Sequence, residues 1–354
     1  MHALIAALVA VAQPATPPIG DAGNAPAAGS PWQHAQLAPA ELRVHDPSTI
    51  VREGDSFYFF ATGRGIGIYH AAPHDSAPDP ATFERIGRVF SRDTLPRWIT
   101  EVAEDQTGHF WAPDITKAPD GRWRVYYSVS SFGKNTSAIA LASSPTLDPS
   151  AAEWRDDGIV IRSTEASDFN AIDPAIVETE GPEGTESWMV FGSWWTGIQL
   201  VQLDPETGMR LAPDAEPIRL ASNQGEPAWN NAIEAADIYE RSAEDGRWYY
   251  LFVNWGLCCK GAESTYEIRV GRSRHITGPY LDRAGKPLTE NGGTPLLASE
   301  PPFIGPGHPS VLDTADARLL GLHFYDARHE GRPRFALIPL AFDHEGWPTL
   351  HTDN

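Results

Sequence analysis

The stretch NNAIEAADIYE, residues 230–240, sets one acid, Glu234, among apolar neighbours, and an aromatic strand, WYYLFVNW, begins soon after at Trp248. The same layout recurs along the chain. Asp46 in VHDPSTI precedes SFYFFATG, Asp114 in WAPDITK precedes WRVYYSVS, Asp173 in AIDPAIV precedes SWMVFGSWW, and His308 in GHPSVL precedes LLGLHFYD. Each unit runs from a polar residue through a short apolar run and a turn to an aromatic strand. The intervals are too long for a solenoid turn and suit a four-stranded propeller blade with loop insertions. If the first strand of each blade lines a common axis, Asp46, Asp114, Asp173, Glu234 and His308 converge at its mouth. The sequence therefore predicts an all-β, five-bladed β-propeller in a single domain, with one strand of the last blade supplied by the N-terminal segment to close the ring.

Composition agrees. The 31 Gly and 31 Pro interrupt helices, the 12 Trp and 10 Tyr favour strands, and an apolar share of 41% is enough for a substantial core. A formal charge of −20 with no basic cluster repels phosphate backbones and anionic lipid, so neither nucleic acid nor membrane is an expected partner and a neutral substrate is. Residues 2–12, HALIAALVAVA, form an apolar run too short to span a bilayer, followed by a leader rich in Pro, Ala and Gly. Residues 1–35 are thus expected to be a signal-like segment and flexible leader, residues 36–354 the catalytic propeller, and the protein a secreted or periplasmic monomer. Cys258 and Cys259 are adjacent. Neighbouring Cα atoms lie closer than the usual disulfide range, so the pair is either free and packed or joined in a strained vicinal bridge.

Asp46, Asp173 and Glu234 occupy matching places in different units, each in apolar or small company. Buried carboxylates without partners rise in pKa, and convergent ones raise one another. One ionised carboxylate as base and one protonated as acid, flanking an acetal, is the minimum equipment of a glycosidase. Asp114 shares the layout and is expected to serve the frame. His308 is a candidate metal ligand or proton-network member, and as a single histidine it would leave most ligand positions to water. Trp111, Phe132 and Trp195 are candidates to stack on sugar faces, and Asn170, which opens NAIDPA, is a further candidate substrate contact.

These segments resemble glycoside hydrolase family 43, and within it the endo-1,5-α-L-arabinanases. VHDPSTI, FWAPDI, YYSVSSFGKNTSAIALASSPTLDP, NAIDPA, FGSWWTGIQLVQLD, AIEAADIY, CCKGAESTYEIRVGRSRHITGPYLD and GPGHPS carry the likeness. The resemblance implies Asp46 as general base, Glu234 as general acid, Asp173 as the residue that tunes and orients the acid, and inversion at the anomeric carbon. It implies arabinan as the polysaccharide substrate, a calcium ion near the axis beside His308 and waters, and no organic cofactor. The chain departs from the family pattern at Ala236, where IEAAD replaces IEAP, and in WGLCC. The alternatives are an exo-acting α-L-arabinofuranosidase or β-xylosidase on the same fold, and a non-catalytic carbohydrate-binding propeller.

Overall fold

The second strand of each unit is apolar on both faces, so both faces must be covered. In the computed structural model, which describes residues 26–72, 77–182, 184–225 and 231–350, each such strand stands between two neighbouring sheets. Phe57 and Phe59 face one cluster with Phe335 and Leu337, while Tyr58 and Phe60 face another with Val125 and Tyr127. Tyr249 and Leu251 pack towards Ala175 and Val190, and Tyr250 and Phe252 pack towards Leu322 and Phe324. Among the described residues the core is therefore five apolar seams between blades rather than one central mass.

The sheets form in chain order. The first blade joins Val51–Glu53, Ser56–Ala61, Gly67–Ala71 and Glu84–Arg88. The second joins His109–Lys117, Trp123–Val129, Ser137–Ser144 and Arg155–Ser163, with Gly63–Arg64 added at its inner edge. The third runs from Ala175–Gly181 to Ile218–Ala221, and the fourth from Ile233–Ala243 to Thr294–Leu297. The fifth combines Phe303–Asp313, Arg318–Asp326 and Arg332–Pro339 with Gln36–Leu37, which pairs with Leu337 and Ala336. The N-terminal strand thus closes the ring, as expected, by covering part of the outer edge of Arg332–Pro339. The packed region starts before residue 36, because Trp32 is buried and stacks on Phe303 at 4.4 Å between ring centroids. The apolar run 2–12 lies outside the described residues. No helix among the described residues is long and apolar enough to cross a membrane.

Each inner strand is entered through one residue with left-handed backbone: Asp46 (φ 50°), Ala112 (42°), Asp173 (58°), Ala235 (51°) and His308 (56°). This corrects the register read from the sequence. Asp46, Asp173 and His308 are equivalent, but Glu234 stands one residue before its blade's turn and Asp114 two residues after. The equivalent of Asp114 is Asp237, in the fourth blade. Each turn's amide donates to a polar group of the preceding blade: Asp46 to His323 Nδ1 at 3.2 Å, Ala112 to Thr62 Oγ1 at 2.8 Å, and Asp173 to Ser128 Oγ at 2.9 Å. Ala235 donates to Asp173 Oδ2 at 3.1 Å and His308 to Asn254 Oδ1 at 2.8 Å.

Proline follows four of these turns, at Pro47, Pro113, Pro174 and Pro309, and Ala236 stands at the fifth place. Proline restricts the unfolded chain, and the four sister turns show that it is compatible with left-handed geometry at the residue before. Ala236→Pro is expected to stabilise the fold by about 0.4–1 kcal/mol, read as a melting temperature about 1–3 °C higher. A lower melting temperature would show that the Ala236 amide is needed for a hydrogen bond.

Candidate active site

The turn geometry decides what reaches the axis. Because the turn residues are left-handed, the residue before each, the turn residue itself and the second residue after it reach different levels. Glu234 and His45 share the place before the turn, and so does Trp111. Asp46, Asp173 and His308 hold the turn itself. Asp114 and Asp237 lie deeper, where they serve the frame. Asp114 accepts the amides of Thr49 at 3.0 Å and Ile176 at 2.8 Å, tying its blade to both neighbours. Burial pushes Asp237 up to about 8, with Asp114 adding to the effect. Asp114 therefore does not join the acids at the mouth.

Four side chains expected at the site do come together. Asp46 is surrounded by imidazoles: its Oδ2 lies 2.7 Å from His45 Nδ1, and its Oδ1 lies 3.6 Å from His308 Nδ1 and 3.7 Å from His323 Nδ1. Thr62 Oγ1 donates to Oδ2 at 2.5 Å. Burial alone would raise this carboxyl, but the charge and hydrogen bond of His45, with His308 and His323 behind, outweigh it and hold Asp46 well below the usual carboxylate range.

Glu234 and Asp173 go the other way. Burial raises Glu234, and the charge of Asp46 adds to it, against hydrogen bonds from Ser193 and Tyr266 that favour the ionised form. Ser193 Oγ donates to Glu234 Oε2 at 2.6 Å, and the Tyr266 hydroxyl donates to Oε1. Asp173 is raised well above its ordinary value by burial, then by Glu234 and Asp46. Its Oδ2 accepts the amide of Ala235, the residue after Glu234. The site thus holds one ionised carboxylate and two that resist ionisation, the division of labour that acid–base cleavage of an acetal requires.

The remaining predicted residues are placed as follows. Phe132 is 82% exposed in the loop after Trp123–Val129, with its ring open to solvent. Trp195 is half-buried, and its carbonyl accepts from Asn231 Nδ2 at 2.8 Å. Asn170 is buried, and its Oδ1 accepts from Ser137 Oγ at 2.7 Å. Cys258 and Cys259 are bonded to each other, which decides between the two states open in the sequence. Sequence reasoning passed over His45, Thr62, Ser193, Tyr266, His323 and Tyr325. Thr62 and Ser193 lie just beyond the ends of aromatic strands, and His323 and Tyr325 within the last four residues of one, so nearness to the strand end was the available signal.

Two groups of donors bear on a metal ion. His45, Asp46 and His323 bring ligand atoms within 4.8 Å of one another. His323 Nδ1 already accepts the Asp46 amide, which leaves its hydrogen on a buried Nε2, and His45 Nδ1 already donates to Asp46. Both rings are committed, and this trio does not fit a cation. His308 differs, since its tie to Asn254 uses the backbone amide and its ring makes no hydrogen bond among the described residues. One free imidazole beside a carboxylate cluster fits a hard cation that keeps most of its ligands as water.

The sequence profile of glycosyl hydrolases family 43 matches residues 40–348. The chain is 37% identical over 339 residues to an extracellular exo-α-(1→5)-L-arabinofuranosidase of Cellvibrio japonicus, covering 90% of this chain and 93% of the relative. It is 37% identical over 324 residues to an extracellular endo-α-(1→5)-L-arabinanase of Bacillus subtilis, covering 90% of this chain and 91% of the relative. The structure of Cellvibrio cellulosa α-L-arabinanase complexed with arabinohexaose superposes with a TM-score of 0.78 at 36% identity, covering 87% of this chain and 95% of that one. A profile that spans nearly the whole propeller, and relatives this similar along most of their own length, establish that the chain belongs to glycosyl hydrolases family 43.

Proposed function

We propose that this enzyme hydrolyses α-1,5-linked L-arabinofuranosyl bonds in arabinan by endo attack with inversion, and that it acts after export. The observation that carries the reading is the opposed setting of the two carboxyl groups in one buried cluster, Asp46 paired with imidazole and held below the usual carboxylate range, Glu234 buried among hydroxyls and pushed above it. Asp46 takes a proton from a water, the water oxygen bonds to the anomeric carbon, and the bond to the departing sugar breaks with its electron pair on the leaving oxygen. That oxygen receives the proton of Glu234. Asp173 accepts the Ala235 amide and so fixes the backbone beside Glu234. Trp111 and Phe132 offer aromatic faces to sugar rings, and the exposure of Phe132 suits a residue remote from the bond being cut.

A calcium ion held by His308 and water forms part of this proposal, and it would supply positive charge beside Asp46. The extracellular relatives support export. An exo-acting relative and an endo-acting one share the same identity with this chain, so exo action is the second reading.

Early products from linear arabinan separate the two readings: a ladder of oligomers is expected, and arabinose alone would establish exo action. Glu234→Gln is expected to lower turnover of arabinan by about 10²–10⁴-fold. An aryl arabinofuranoside whose leaving group needs no proton should lose much less, and equal losses on both substrates would remove Glu234 from the acid role. The alkaline limb of the pH profile of kcat/KM should follow Glu234. Ser193→Ala and Tyr266→Phe each remove a hydrogen bond to the ionised form and should each move that limb to higher pH. A shift to lower pH in either variant would contradict the assignment.

A further inference from the structure

We propose that His45 is a positioning residue for the base, gripping one oxygen of Asp46 so that the other, Oδ1, is the atom that takes the proton from water. The inference rests on the reading of Asp46 as general base. The two oxygens of Asp46 are in unlike situations. Oδ2 is held twice, by His45 Nδ1 at 2.7 Å and Thr62 Oγ1 at 2.5 Å. Among the described residues Oδ1 accepts no hydrogen bond; the rings of His308 and His323 lie 3.6 and 3.7 Å from it, beyond hydrogen-bonding distance. A carboxylate clamped through one oxygen keeps a fixed direction and leaves its second oxygen free for water.

His45 is itself fixed on three sides. Its Nε2 lies 2.7 Å from the Tyr325 hydroxyl, and its ring stacks on His323 at 4.2 Å with 25° between planes. Tyr325 in turn accepts the Cys259 amide at 2.7 Å. An ionised carboxylate can only accept, so His45 Nδ1 carries a hydrogen and points it at Oδ2. The second nitrogen, Nε2, shares the 2.7 Å hydrogen bond with the Tyr325 hydroxyl, whose oxygen also receives the Cys259 amide. A chain of four groups, Cys259 amide, Tyr325, His45 and Asp46, therefore runs from the tandem-cysteine loop to the base. The place of His45 in its blade agrees, for it stands one residue before the left-handed turn, as Glu234 does in the fourth blade. Pseudo-symmetry puts it at the mouth, where a side chain reaches the reacting groups, rather than down the axis with Asp114.

The test is steady-state kinetics of the full chain on linear arabinan, with melting temperatures as the check on folding. Asp46→Asn serves as the reference: if it turns over like the wild type, the assignment of the base fails, and that outcome is separate from the ones that follow. His45→Ala should lower kcat about 10–100-fold with KM changed by less than about threefold. His45→Asn keeps an amide N–H close to the Nδ1 place and should recover kcat to within about fivefold of the wild type. Tyr325→Phe, which retains the ring and loses the hydroxyl, should fall between them. Wild-type kcat in His45→Ala, a loss confined to KM, or equal losses in the Ala and Asn variants would each overturn the proposal. If His45→Ala does not fold, Tyr325→Phe decides: an unchanged kcat overturns the proposal and a lowered one at unchanged KM supports it.

Discussion

Everything at the mouth of this propeller depends on how each inner strand is entered. The entering residue is left-handed, a conformation that ordinary side chains rarely take, and its amide is received by a polar group of the blade before it. Outside glycine such a turn is costly, of order 1–3 kcal/mol, and it persists only where the surroundings over-determine it. Here the proline that follows most of the turns, the captured amide and the apolar seams on either side all hold it. Its consequence is geometric. Asp46, Asp173 and His308 are turned onto the axis by backbone conformation, while Asp114 and Asp237 continue down the strand and bind the blades together.

The electrostatic pattern follows from which groups share that small volume. Three carboxyl groups in one buried place cannot all be ionised, and the imidazoles decide which one is. His45, His308 and His323 all lie on the Asp46 side, and His45, which the paired Asp46 raises against the effect of burial, supplies the cation that favours the charge of Asp46. Glu234 meets hydroxyl groups instead, and Asp173 meets one amide. Neutral donors compensate a buried charge less completely than a cation, and burial prevails at both residues. The environment chooses the acid and the base, since the side chains themselves are nearly alike.

The fold was legible because its signal is repeated: a polar head, a turn and an aromatic strand, five times over. The closing strand followed from the shortness of the last unit, and it is found at Gln36–Leu37. The register was legible only in part. Asp-Pro at Asp46 and Asp173 and His-Pro at His308 mark the turn, but acids at Asp114 and Glu234 drew the alignment away from Ala112 and Ala235. Aligning on the residue before proline would have found Ala112 directly and, with Ala236 in proline's place, Ala235 by analogy. The hydroxyl and imidazole partners were not legible. Ser193, Tyr266, His323 and Tyr325 sit in motifs whose pattern is explained by strands alone, and only the crossing of one blade over the next gives them partners.

The position of Asp46 ties the chemistry to ring closure. Its amide is received by His323, and its carboxylate by His45, whose support comes from Tyr325. His323 and Tyr325 belong to Arg318–Asp326 of the last blade, so Asp46 stands on the seam where the last blade meets the first. That strand ends at Asp326, which is fully buried and paired with Arg334, and Arg334 also donates to the Ala38 carbonyl just past the closing strand. A buried carboxylate with its partner removed is strongly destabilising, so Asp326 and Arg334 hold each other and, through Ala38, hold the first residues of the domain against the last. The acid Glu234, by contrast, is supported by consecutive blades and needs no closure. Of the two carboxyl groups proposed as base and acid, Asp46 is the one whose position records whether the ring is shut.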